Sequence, residues 1–168
     1  MARRFAEVAE LIDVCWLEIR GKIKTQMLSP STLYSAFLVF KLTTGAYGFD
    51  YSPAEVTMGL AGSESSARTV CLDIRREQRL WHLRKSRGIG CHVRRRILGW
   101  QSHIPVTETG GPYPRERGDG WLEIELGEFL NEEGENEELE MTVSEVKGGD
   151  WKCGLILHGI EIRPKEGK

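Results

Sequence analysis

Alternation of apolar and polar residues with a period of two restricts this chain more than any other feature. In Cys15-Trp16-Leu17-Glu18-Ile19-Arg20-Gly21-Lys22-Ile23 the odd positions are mostly apolar, while the even ones carry Glu18, Arg20 and Lys22. Only an extended backbone, whose successive side chains leave opposite faces, turns such a set toward a core on one side and water on the other. The pattern recurs over 55–60, over 121–126 with Leu122, Ile124 and Leu126 on one face, and over 138–147 with Leu139, Met141 and Val143 inside. Residues 33–42, rich in Tyr34, Phe37, Val39 and Phe40, are apolar on both faces, which predicts a strand covered on both sides.

Residues 69–74 predict a short further strand, and 154–163 are apolar enough to be central, with Pro164 ending the run. Ahead of the first alternation, Phe5, Val8, Ala9 and Ile12 are spaced for a helical turn or two over 5–14. A turn is expected at 28–31, where Pro30 fixes φ. Strands at this spacing, separated by Gly and Pro turns, predict a mostly β fold, an antiparallel β-sandwich. At 168 residues the chain suits a single domain, placed at 5–165. Residues 78–114 lack sustained alternation and predict an irregular basic insertion, a functional or disordered loop.

The net charge of −2 conceals a division. From Arg75 to Arg96 nine Lys or Arg residues face only Glu77, whereas from Glu116 to Lys147 twelve acids face Arg117 and Lys147. A basic middle and an acidic last third can attract each other or serve separate partners. The first residues carry no apolar h-region of a secretory signal, and no run approaches the roughly 18 apolar residues of a membrane span. The four cysteines, Cys15, Cys71, Cys91 and Cys153, have no CxxC spacing. Reduced thiols and a cytoplasmic or nuclear location are the expectation.

Catalytic patterns are missing. His82, His92, His103 and His158 include no pair at metal-ligand spacing, and Cys91-His92 lacks a second pair. No GxSxG, HExxH or P-loop occurs, and Gly88-Ile89-Gly90 is too short for a phosphate loop. The expectation is a binding protein, not an enzyme, with no cofactor and no metal. His158, in the apolar last strand, reads as a hydrogen-bonded or edge histidine. The basic cluster Arg84-Lys85-Ser86-Arg87 with Arg94-Arg95-Arg96, near Trp81 and Trp100, could contact phosphates, but a solvated loop is the plainer reading. Trp16, Trp121 and Trp151 are more informative. Indole faces beside carboxylates suit sugars, since the ring stacks on pyranose C–H groups while Glu or Asp accepts from hydroxyls. For any one of them alone, cover for a sheet face or sandwich edge is the simpler account.

Several stretches in consistent order carry a resemblance. They include Ala6-Glu7-Val8-Ala9-Glu10-Leu11, Val14-Cys15-Trp16-Leu17-Glu18-Ile19-Arg20-Gly21-Lys22-Ile23 and Tyr34-Ser35-Ala36-Phe37-Leu38-Val39-Phe40-Lys41-Leu42. Asp119-Gly120-Trp121-Leu122-Glu123-Ile124-Glu125-Leu126-Gly127-Glu128-Phe129 and Lys152-Cys153-Gly154-Leu155-Ile156-Leu157-His158-Gly159-Ile160-Glu161-Ile162-Arg163-Pro164 complete them. The chain resembles the plant phloem protein 2 family, which includes the tobacco-type lectins for N-acetylglucosamine oligomers.

The resemblance implies a lectin-like β-sandwich of the plant cytosol and nucleus, which in many members follows an F-box and so serves a ubiquitin ligase. It implies N-acetylglucosamine oligomers, N-glycan cores or glycoproteins as ligands, and two glutamates in the penultimate strand region as hydroxyl acceptors. These match Glu138 and Glu145, with Trp151 as a stacking candidate nearby. The family's paired tryptophans belong to a stretch that would lie before Arg4, so the expectation is an N-terminally shortened domain that binds sugar weakly. The alternative is a protein-interaction or substrate-recognition domain derived from an F-box protein. Ubiquitin-ligase components become partners if an F-box lies upstream. No membrane partner is expected, nucleic acid ranks last, and self-association is left open.

Overall fold

The structure is a computed structural model, and it describes residues 7–49, 53–73, 113–132 and 137–165. Among the described residues nine strands follow one another: β1 (Ala9–Glu10), β2 (Leu17–Lys24), β3 (Thr32–Tyr47), β4 (Ala54–Leu60), β5 (Ser66–Val70), β6 (Arg115–Glu116), β7 (Leu122–Asn131), β8 (Glu138–Glu145) and β9 (Cys153–Pro164). One sheet has the order β1-β9-β3-β7-β6 and the other β2-β8-β4-β5, with every pairing antiparallel. The expected sandwich is the observed one. The basic insertion expected at 78–114, with Trp81, Trp100 and the arginine cluster, lies outside the described residues except for its last two.

Side-chain alternation decides which face of each strand enters the core. Leu139, Met141 and Val143 of β8 are buried, as predicted, and pack with Leu17, Val56 and Met58 of the same sheet. Ala36, Leu38 and Phe40 of β3 and Ile124, Leu126 and Leu155 meet them from the other sheet. β3 lies between β9 and β7 and is buried from Tyr34 to Phe40, which explains its apolar residues on both faces. Its outward face is covered by charged side chains of neighbouring strands. Arg163 lies 4.4 Å from the centre of the Phe37 ring and Arg115 5.6 Å from it. A bulge at Ala36/Phe37 shifts the register against β7, setting Ala36 opposite Gly127 and Phe37 opposite Glu125.

Two local expectations need correction. The helical turn expected over 5–14 is not formed by the described residues 7–14. There Ala9 and Glu10 pair with Leu157 and Ile156, and Val14 bridges Lys152. So short a helix would bear the full cost of nucleation, whereas the edge of β9 offers ready backbone partners. The strand expected at 69–74 begins earlier, at Ser66, because the turn after β4 sets the pairing Met58↔Ser66 through Ala54↔Val70. β9 is second from the edge, since β1 reaches only two of its residues.

Candidate functional site

The expected site residues fall at three distinct places. Along β8 the odd positions face the core, so Glu138 and Glu145 leave opposite faces of the strand. Seven residues of extended chain put them about 23 Å apart at ~3.3 Å per residue. Glu138 lies on the outer face of its sheet, where Lys22 donates to it at 3.2 Å and to Glu140 at 2.5 Å. These two acceptors push the Lys22 ammonium above its ordinary range. Glu145 points inward at the opposite end and is 4% exposed. The structure therefore does not bring the two glutamates together.

Around Glu145 the chain is tied into a knot. Its Oε2 faces the ammonium of Lys152, a residue with no exposed surface, and its Oε1 accepts the Gly148 N–H at 2.8 Å. Lys152 Nζ also donates to the carbonyls of Asp150 at 2.7 Å and Cys15 at 3.2 Å. Backbone bonds close the same junction, Val14 N to Lys152 O at 2.9 Å and Lys152 N to Val14 O at 2.7 Å, and Cys15 Sγ donates to Gly149 O at 3.3 Å. Two glycines in the left-handed region permit this path: Gly149 turns the loop at φ +67°, and Gly48, at φ +87°, has no Cβ to run into the Trp151 carbonyl oxygen.

From this buried knot the large apolar side chains point outward. Trp16 is 72% exposed and Trp151 59% exposed, with Ile12, Tyr47 and Val146 exposed on the same segments. Trp16 thus keeps the polar-face position its alternation predicts, just ahead of β2. The Tyr47 hydroxyl donates to Asp13 Oδ1 at 3.1 Å, a bond that pushes its pKa upward. Trp121 behaves differently. It is half-buried, stacked on His158 with ring centres 4.6 Å apart, and has Lys41 Nζ 4.4 Å from its ring centre. Its ring serves as cover for the outer face of the five-stranded sheet.

That outer face carries a second charged group. Glu123 and Glu161 are buried and held by Arg163, with Arg115 on Glu123 at 2.8 Å and Arg117 on Glu161 at 3.2 Å. Burial pushes the Glu123 carboxyl up, but bonds from Arg163 and Arg115 more than offset it and hold it below the ordinary range. Glu161 follows the same balance with Arg163 and Arg117. Opposite charges satisfy one another here, so the arrangement suits cohesion of the sheet rather than capture of a charged ligand.

Residue patterning alone overlooked Lys152. Its signal was weak, a single lysine at the head of an apolar run, and such a residue ordinarily reads as the exposed start of a strand. The described residues contain no group of three or more His, Cys, Asp or Glu arranged to hold a metal ion.

The phloem protein 2 family model matches residues 1–164. The chain belongs to the phloem protein 2 family. It is 41% identical to F-box protein PP2-B13 of Arabidopsis thaliana, over 96% of this chain and 55% of that protein. It is 42% identical to F-box protein PP2-B10 and to F-box protein VBF of the same plant, covering 96% of this chain and 50% and 56% of theirs. This phloem protein 2 chain thus spans about half the length of the curated relatives it matches. The stretches quoted for the resemblance supply β1 and β9, most of β2 and β7, the middle of β3, and Cys15 and Lys152 of the knot.

Proposed function

We propose that this chain binds N-acetylglucosamine-containing glycans, without catalysing a reaction, at the sandwich end where Trp16 and Trp151 project. One observation carries the reading: two highly exposed indoles beside a polar turn. A tryptophan face has the area and quadrupole to stack on sugar C–H groups, and Glu18 and Asp150, both exposed, are acceptors adjoining the two indoles in sequence. In this reading Trp151 supplies one of the stacking faces. Glu145 supports it from behind through Lys152, and Glu138 lies too far along β8 to share a ligand with it. Within a longer protein like its F-box relatives, such a domain would select glycoprotein targets for a ubiquitin ligase in the cytoplasm or nucleus.

Calorimetric titration with chitotriose tests the reading. Weak binding is expected, with Trp151→Ala lowering affinity about ten-fold, the order of one lost aromatic stack. Absence of heat at millimolar sugar would end it.

A second reading, recognition of an extended polypeptide, has its own observation. A cleft of about 380 Å³ between β2 and β9 is lined by Ile19, Ile23, Leu28, Leu157, Ile160 and Ile162. β2 bonds only to β8 among the described strands, so its outer edge offers backbone groups to an added strand. Partner capture that survives deglycosylation and is lost with Ile23→Asp would favour this reading over the first.

A further inference from the structure

The carbonyls that Lys152 holds belong to Cys15 and Asp150, the residues immediately before Trp16 and Trp151. One ammonium therefore fixes the backbone that launches each indole. Its two bonds keep those oxygens no more than about 6 Å apart, which places the Trp16 and Trp151 Cα atoms within about 12 Å of each other. A buried ion pair is a weak source of stability, because desolvating both charges opposes their attraction and an apolar pair often serves as well. What an apolar pair cannot do is hold two carbonyls in fixed directions, since hydrogen bonds are directional and dispersion contacts are not.

We propose that Lys152 is a positioning residue that joins Trp16 and Trp151 into one ligand-contacting unit, with Glu145 neutralising the lysine from the core side. The identity of the ligand rests on the glycan reading above; the coupling of the two tryptophans through Lys152 does not. Neither indole touches the lysine side chain's charge, so its effect on binding passes through the backbone. A ligand long enough to meet both rings gains from their fixed separation, and a single N-acetylglucosamine ring does not.

The test uses the full chain and the double variant Glu145→Gln/Lys152→Met. This removes both charges together, keeps an amide oxygen for the Gly148 N–H, and fills the lysine's aliphatic volume. With 5-fluorotryptophan incorporated and signals assigned by single Trp→Phe changes, the Trp16 and Trp151 ¹⁹F resonances should both move while that of Trp121 stays. Chitotriose affinity should fall about ten-fold, and adding Trp16→Ala to the double variant should lower it little further. Movement of only one signal, or unchanged affinity, overturns the proposal and leaves an ion pair that merely stabilises the fold.

The native chain offers a readout that needs no variant. The Lys152 ¹⁵Nζ resonance should shift on addition of chitotriose, and a chain that binds chitotriose without that shift also overturns the proposal. If the native chain binds no chitotriose, the glycan reading fails, and the paired ¹⁹F displacement alone decides the role of Lys152.

Discussion

The two ends of the sandwich are closed by different side chains using one device. At one end Asn131 donates from Nδ2 to the carbonyls of Thr25, Leu28 and Ser29, at 3.3, 3.1 and 3.0 Å. At the other Lys152 donates from Nζ to Cys15 and Asp150. Both donors are buried; Asn131 gathers three carbonyls of the single segment 25–29, whereas Lys152 joins carbonyls of two separate segments. The amide is neutral and needs no counter-ion. The ammonium does, and Glu145 is that counter-ion, brought inward on the core-facing side of β8. Among the described residues the neutral end carries no exposed tryptophan, and the charged end presents two.

A charged closure fails more severely than a neutral one, and that difference orders the expected effects. Lys152→Met alone strands a buried carboxylate and should cost about 3–5 kcal/mol in denaturant unfolding, with most of it recovered on adding Glu145→Gln. If the single variant loses less than the corresponding asparagine variant, the contrast between the ends is wrong. Asn131→Leu removes donors from three carbonyls without leaving a charge, and roughly 2 kcal/mol is expected by the same measurement.

The charged group on the five-stranded sheet sharpens the comparison, because it is part-exposed and shared among five side chains. Glu123 and Glu161 are held below their ordinary value of 4.5 in the folded chain. They therefore bind fewer protons folded than unfolded. Their contribution is complete above that value and is lost as pH falls through their lowered folded values. Arg163→Met should remove about 2 kcal/mol at neutral pH and flatten the loss of stability below pH ~4. A variant whose acid dependence matches the native chain would show that these carboxylates draw little from Arg163. The smallest effect belongs to Lys22, exposed on the outer face of the other sheet with Glu138 and Glu140. Lys22→Met should leave the unfolding midpoint unchanged, since solvent screens such pairs.

Much of the fold could be read from periodicity because burial on a strand repeats every second residue. The alternation in β2, β7 and β8 therefore announced which side chains enter the core, and the two-sided apolarity of β3 announced its central position. The segment before β2 was misread because its apolar spacing fits a helix while its fate depends on β9, some 150 residues later. The candidate site was legible in part. Trp16 was visible on the polar face of its strand, and Trp151 as a stacking candidate near the matched glutamates. Glu145 was visible as a carboxylate, and its parity with Leu139, Met141 and Val143 agrees with its inward-facing position. Lys152 gave only a weak signal and Asn131 none, because the carbonyls they hold have no sequence signature.

By itself the sequence determined most of the longer strands and their buried faces, the family and the absence of the catalytic motifs sought in it. These follow from local geometry and from residues that need no distant partner to be recognised. Only the tertiary structure decided that Glu138 and Glu145 lie apart, that Trp121 covers a sheet while Trp16 and Trp151 stand clear, and that one buried lysine serves both. The physical reason is that a charge, a carbonyl and an indole acquire a role from what they meet in space. At this end of the sandwich, the meeting joins segments separated by more than 130 residues.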